Sequence, residues 1–470
     1  MSSDEETVER ALERLSGPAG ASWRAPDQVR RTARRRKRGR LAVLGAGGLA
    51  VATAVTLALA LLGPRSSPAP VADGPRNGAR IGSAIQLVAN VKPVAGPSSS
   101  DERAVVTAEQ EFTFALLKRV NAAGGSANVV LSPASLAIAL AMLRNGAGGQ
   151  TEREIAAVLH TSGLTDAQLD SGWAALSADL QTGGVLDSAN SLWLQHGAPM
   201  QAPFMNAMAR YFRTGVWQVD FAHDLAGANR SINAWVSQQT RGKITKLFNP
   251  GDLDPSTLLV LANAVYFKAA WKTAFDRKQT ADATFHTGAG AAVSTPFMTT
   301  GENSSTLVAQ NADTMAVQLP YAGGPFAALA VMPRTQPLAD FVSALTPETL
   351  GTLTAQLHPS RVTVSLPKFE VSQYTRLDSV LKAMGMPTAF GPRADLSPMS
   401  PLAAYVKSVV QRDYLKVDEK GTEAAAVTGS GVEASAAHVP LTFDHPFLFL
   451  VRDTKTGAIV FSAQIQDPTG

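Results

Sequence analysis

Not one cysteine occurs in the chain, and that absence removes disulfide cross-links, thiol nucleophiles, zinc–thiolate sites and a lipidated cysteine anchor together. The common hydrolase, metalloprotease and nucleotide signatures GxSxG, HExxH and GxxxxGK[ST] are missing too, and the seven histidines do not group with carboxylates at ligand spacing. The chain is therefore expected to be no enzyme and to carry no cofactor or metal. Charge is sparse, at 17% of residues, and its small surplus is local. Residues 1–63 hold eleven Lys/Arg against six Asp/Glu, a net +5, so the +4 of the whole chain leaves −1 for residues 64–470. A body so close to neutral offers no basic face to a phosphate backbone, and no nucleic-acid partner is expected.

What is present begins with a segment that punctuates the chain before any core. DEETVERALERL, near the N-terminus, spaces Val8, Leu12 and Leu15 as a helix would and reads as a solvated tail. Eight of the basic residues lie between Arg30 and Arg40, directly before a run from Leu41 to Gly63 without a single charge. About 23 apolar residues cross roughly 30 Å of hydrocarbon as one helix. The basic flank keeps residues 1–40 on the cytoplasmic side, so residues 41–63 are expected to be a single-pass membrane anchor with everything after them outside the cell. The competing reading is a signal peptide, cleaved to release a secreted protein. Residues 64–104, rich in Pro, Gly and Ser, are expected to be a flexible linker that packs no core.

From about residue 105 to residue 470 helical and strand-like segments alternate without another linker. AEQEFTFALLKRVNAA has the apolar spacing of an amphipathic helix, and SPASLAIALAMLRNGAGG predicts a second, capped by Ser132, opened by Pro133 and ended near Gly146. STLLVLANAVYFKAAW and FAALAVMPR read as buried strands, TLGTLTAQL and YTRLDSVLKAMG as helices. The mixed order predicts an α+β fold with a large, mainly antiparallel sheet.

The stretch from Glu419 to Phe447 has a double character. Between Gly421 and Val439 there is no proline and no large aromatic, so every residue there can donate a ladder hydrogen bond. In a strand, Thr422, Ala424, Ala426, Thr428, Ser430, Val432 and Ala434 share one face, all small and uncharged, while Glu423 and Glu433 fall on the other. Its glycines and alanines nevertheless give little local drive to pair. The segment is strand-compatible and loop-like at once.

Six blocks of this sequence, in this order, resemble the serpin family, of bacterial type, over about residues 105–470. They are NVVLSPASLAIALAMLRNGAGGQTEREI, INAWVSQQTRGKITKLF, LVLANAVYFKAAWKTAF, VSLPKFEVSQY, VDEKGTEAAAVT and FDHPFLFLVRDTKTGAIVFSAQIQDP. The resemblance implies a serpin fold: a large central sheet, further sheets, surrounding helices, and an exposed reactive-centre loop that a target protease cuts. It also implies a monomer that inhibits a serine protease irreversibly, as a suicide substrate. In that mechanism the acyl-enzyme is trapped when the cut loop enters the sheet as a strand.

The resemblance assigns roles by position. Glu419, Gly421, Thr422, Glu423, Ala424, Ala425 and Ala426 form the hinge, and counting from Glu419 to a strand expected at Phe443 puts the scissile bond at Ser435–Ala436. Insertion of Thr422 to Ser435 would span roughly 48 Å at about 3.4 Å per residue. Val432, Glu433 and Ala434 precede the cut, and with the small Ser435 they imply an elastase-like or subtilisin-like protease partner with a shallow pocket. Ser132, Ser135, Asn263 and Gln411 fall where the family has a polar shutter beneath the sheet, with Gln411 in place of the usual histidine. Lys368 is placed to pair with Glu419, and Trp271 near the loop's entry. Simpler readings stand beside these: Ser132 as a plain helix cap, the Lys368–Glu419 pair as a surface contact, Trp271 as core, and the hinge as an alanine-rich loop. Other functions also remain open: a non-inhibitory serpin acting as a binding or chaperone module, and a transmembrane regulator signalling through residues 1–40.

Overall fold

Nine consecutive buried residues, Leu259–Phe267, make the strand on which the architecture is centred. Their sequence, LVLANAVYF, is apolar on both faces because both faces are covered. A computed structural model describes residues 76–94, 99–122, 127–180, 185–249, 251–300, 305–422 and 441–470, all in one compact unit. The expected anchor at residues 41–63 lies outside the described residues. Among those described, no helix is long and apolar enough to cross a membrane.

The main sheet contains strands β1 (Arg76–Ile81), β2 (Ala84–Val88), β3 (Leu186–Gln195), β4 (Val216–Val219), β5 (Leu259–Phe267), β6 (Ala269–Ala270), β7 (Phe369–Arg376), β8 (Val406–Asp418) and β9 (Gly421–Thr422). Their order is β1-β2-β4-β3-β5-β8, with β7 on the outer side of β8 and the two-residue β9 set between β8 and β6. Pairings are mostly antiparallel; β3 with β4 and β5 with β8 are the parallel exceptions. Two more sheets complete the α+β fold: seven strands centred on Phe326–Pro333 and Phe447–Asp453, and four that include Val364–Pro367 and Leu441–Thr442.

Helix Pro133–Asn145 lies in the larger core beneath the sheet with Val265, Val409, Leu415 and Val417. It is apolar nearly all round, as a helix without a solvent face must be. Helix Leu225–Gln239 covers the opposite face through Ile232, Trp235 and Val236, which join Trp193, Trp217, Val260 and Ala262 in a second core. Side-chain alternation along β8 thus sends Gln411, Asp413, Leu415 and Val417 to one core and Val410 and Tyr414 toward the other.

Several expectations change. The linker expected at 64–104 holds regular structure within residues 76–94: β1 and β2 form a hairpin that extends the main sheet by pairing with β4. Ala84 in it is fully buried. The first long helix starts at Ser99, inside the expected linker, where Asp101 and Glu102 complement the positive end of its dipole. The helix expected across YTRLDSVLKAMG covers only Asp378–Met384, because Tyr374–Arg376 finish β7. The strand expected to begin at Phe443 is Leu441–Thr442, with the next at Phe447. Ser132 does occupy the cap position of its helix, but its hydroxyl makes no capping bond.

Candidate functional site

The site is built where β5, β6 and β8 diverge. β5 and β8 run side by side as a parallel pair from Val406↔Leu259 to Tyr414↔Tyr266. Beyond that point the two strands separate, and β9 sits between them, with Thr422 opposite Val417 on one side and Ala269 on the other. Two residues of the expected hinge are therefore already paired as a strand. Glu423, Ala424, Ala425, Ala426, Val432, Glu433, Ala434, Ser435 and Ala436 lie outside the described residues.

Only glycine fits at the first of these positions. Gly421 has φ +146°, and a Cβ there would lie 2.2 Å from the carbonyl oxygen of Ala269. Thr422 is fully buried, and its hydroxyl shares a 2.6 Å hydrogen bond with the Tyr321 hydroxyl. Tyr321 in turn stacks on Trp271, with ring centroids 4.5 Å apart. The Trp271 indole N–H donates to the Asp418 carbonyl at 2.9 Å, and its backbone N–H donates to Lys420 at 3.0 Å. Trp271 thus holds both ends of the turn that leads from β8 into β9.

Glu419, in that turn, is 3% exposed. Lys368 Nζ reaches its Oε1 at 3.1 Å and the Thr280 hydroxyl donates to the same oxygen at 3.0 Å, while Arg277 lies 3.9 Å from Oε2. Burial alone pushes this carboxyl up, but its own backbone N–H, Lys368 and Thr280 outweigh burial and hold it below the usual carboxylate range. The stabilisation is present above the unfolded glutamate pKa, about 4.3, and is lost as pH falls below it toward the depressed folded value. Glu419→Gln is accordingly expected to lower the melting midpoint at pH 7.5, by the equivalent of about 1–3 kcal/mol for a partly buried charge partner. The gap to the wild type should close below about pH 4, as the wild-type carboxyl protonates. Melting curves at the two pH values check this; an equal gap at both would show that charge is not what Glu419 contributes.

Six residues back along β8 and β5 from the partners of Thr422 lies a second cluster. Ser132, Ser135, Asn263 and Gln411 are all buried and mutually bonded. Gln411 Nε2 donates to the Ser132 carbonyl at 2.9 Å and to Asn263 Oδ1 at 2.6 Å. Asn263 Nδ2 donates to Ser135 Oγ at 2.8 Å and to Asn190 Oδ1, which also accepts from Ser135 Oγ at 2.9 Å. The Ser132 hydroxyl donates to the Val460 carbonyl at 2.7 Å instead of capping its helix, which ties the helix to the seven-stranded sheet. The bond from Gln411 to Asn263 joins β8 to β5, so parting these strands breaks it. An amide serves here because it donates and accepts at once.

Asn190, Tyr321, Thr280 and Arg277 belong to the site and were not foreseen. Asn190 sits in LDSANSLWLQ, whose composition marks no chemistry; the antiparallel register Asn190↔Asn263 brings it in. One buried group has no counterpart in the expected site: both carboxyl oxygens of Asp413, two residues from Gln411, lack a hydrogen-bond partner, and burial raises its pKa well above the ordinary value.

The sequence profile of the family described as Serpin (serine protease inhibitor) matches residues 107–468. An uncharacterized serpin-like protein of Thermococcus kodakarensis is 32% identical over 419 residues, 83% of this chain and 96% of its own length. The leukocyte elastase inhibitor of Xenopus laevis is 31% identical over 369 residues, covering 76% and 97%. Among solved structures, the thermophilic serpin tengpin in its native state superposes with a TM-score of 0.72 at 25% identity, over 80% of this chain and 97% of that one.

Proposed function

Because the chain belongs to the serpin family, we propose that it inhibits serine proteases irreversibly, by inserting its cut loop between β5 and β8. Proteins of this family are described as inhibitors of proteases, and the chain is not an enzyme. In the proposed reaction the protease's serine attacks the carbonyl of Ser435, an ester forms there, and the amine of Ala436 leaves with a proton. Loop insertion then outruns the water that would hydrolyse the ester.

The observation that carries this reading is the pairing of Gly421–Thr422 on both sides, to β8 and to β6. Continued in the same register, the position six residues after Thr422 is Thr428, which would come between Gln411 and Asn263, each six residues back from the partners of Thr422. Thr428 would bring a hydroxyl to the place where the hydrogen bond between those two side-chain amides must break. Ala424 and Ala426 would fall on the same buried face, and their small side chains are what a strand needs to slide between two others over a packed core.

The target we infer has a shallow specificity pocket, elastase-like or subtilisin-like. Ser435, Ala434 and Val432 support this, and lysine and arginine are absent from Gly421 through Leu441. We further propose that the inhibitor acts as a monomer outside the cell, tethered by residues 41–63 with residues 1–40 in the cytoplasm; the charge-free run and the basic block before it support that orientation.

One experiment tests these points together. The protein is incubated with an elastase-like and a subtilisin-like protease, and the mixture is run on a denaturing gel. A band at the combined mass is expected with at least one of them, and mass spectrometry of the released peptide should place the cut at Ser435–Ala436. Trapping should stay with the membrane fraction for the whole chain and move to the soluble fraction when residues 1–63 are deleted. Cleavage by both proteases with no covalent band would favour a binding module that has lost inhibition.

A further inference from the structure

A cavity of about 450 Å³ opens beside the main sheet, at a place the inhibitory reading does not use. It exists because β4 is short. Only Trp193–Gln195 of β3 pair with β4, which leaves the earlier part of β3 without that neighbour. The floor is apolar: Trp217 of β4, Trp235 of helix Leu225–Gln239, and Ile138 and Met142 of helix Pro133–Asn145. The mouth is cationic. Arg80, on the β1–β2 hairpin, and Arg213, after helix Ala202–Tyr211, line it with the amides of Gln238 and Gln239, and no carboxylate of the described residues lines it.

Two further features point to a ligand. Arg213 has φ +53°, a left-handed backbone that costs a non-glycine residue about 1–2 kcal/mol and is often held at functional sites. Ser177, 9% exposed, lines the cavity, and its hydroxyl has no hydrogen-bond partner. Neither arginine makes an ion pair with a described carboxylate. A cavity of this size, with an aromatic floor and a few converging polar groups, has the make-up of a small-molecule site.

We propose that this cavity binds a small organic anion with a flat aromatic body, the rings lying against Trp217 and Trp235 and the acid group meeting Arg80 and Arg213. One lining residue also belongs to the polar cluster: Asn190 accepts hydrogen bonds from Ser135 and Asn263. A bound ligand packs against that cluster and favours the closed sheet, so it slows strand insertion. This second part rests on the inhibitory reading; the binding itself does not.

The test uses the full chain with 2-naphthoate as probe and naphthalene-2-carboxamide as its neutral isostere, read by calorimetry and tryptophan fluorescence. One site is expected for the carboxylate, with affinity at least tenfold above that of the amide and falling with added salt. In the Arg80→Glu/Arg213→Glu variant the preference for the carboxylate should vanish while the amide still binds. Equal binding of the two probes by the wild type would overturn the anion site without any variant, and unchanged carboxylate binding by the variant would overturn the assignment of the two arginines. With a trapped protease as readout, saturating 2-naphthoate should lower the yield of covalent complex at least twofold. Binding with an unchanged yield would leave the site and overturn its coupling to the sheet. Binding in a protein that traps no protease would leave the site and overturn the inhibitory reading.

Discussion

Thr422→Arg is expected to turn an inhibitor into a substrate: the loop is still cut, and the protease walks away. Thr422 is fully buried between Val417 and Ala269, and its hydroxyl bonds Tyr321. A guanidinium in that position must either stay buried without the geometry of an ion pair or pull β9 out from between its neighbours. A buried unpaired charge costs about 3–5 kcal/mol. In the proposed mechanism trapping is a race between insertion and hydrolysis of the acyl-enzyme, and every 1.4 kcal/mol added to the barrier for insertion slows it about tenfold. The covalent band should therefore fall at least tenfold while the cleaved product accumulates at the wild-type rate, since the proposed cut at Ser435 is thirteen residues along the chain. Thr422→Ser, which keeps the hydroxyl, should trap nearly as well as the wild type. Wild-type yield from the arginine variant would show that insertion does not begin at β9.

The second large effect runs the other way. Asp413→Ala should stabilise the native protein at neutral pH by about 1–3 kcal/mol, the cost of a buried polar group left without partners. Asp413 has no accessible surface, and neither of its oxygens is hydrogen-bonded. Burial raises its folded pKa, so the folded state holds the proton more tightly than the unfolded chain. Wild-type stability therefore falls as pH rises from about 4, the unfolded aspartate value, toward the raised folded one. The alanine variant lacks this slope, and its advantage should be larger at pH 7.5 than at pH 4.5. Melting midpoints at a fixed heating rate measure it, and a variant less stable than the wild type at both pH values would show that the side chain is needed for packing. Gln411 is two residues along the same strand and face, so a more stable closed sheet should also trap proteases more slowly.

Much of this architecture was legible from local sequence, and the exceptions share a cause. LVLANAVYF and FAALAVMPR announced themselves as buried strands because both their faces are covered, which leaves no polar alternation to misread. Ser132, Ser135, Asn263 and Gln411 could be named because recognisable blocks carry them. Asn190 could not, because only the register of β3 on β5 gives it a role. The β1–β2 hairpin was read as linker since RNGARIGSAIQLV has the glycine and small polar residues of one. It is a strand pair because β4 offers an edge to bind, which is a tertiary fact. Tyr321 was missed for the same reason, as 101 residues separate it from Thr422.

The two paired residues of β9 have a kinetic meaning. Starting a strand inside a sheet is the unfavourable part of its growth, because the chain must be closed into a loop before the first bond forms. Here the nucleus exists in advance, closed by the turn at Glu419 and Lys420 and locked by Trp271. In the proposed insertion, growth from it would resemble a zipper: each step would open one rung between β5 and β8 and close two, one to each neighbour. The hydrogen-bond count would then rise from the first added residue, which would place the resistance in the side-chain rung between Gln411 and Asn263.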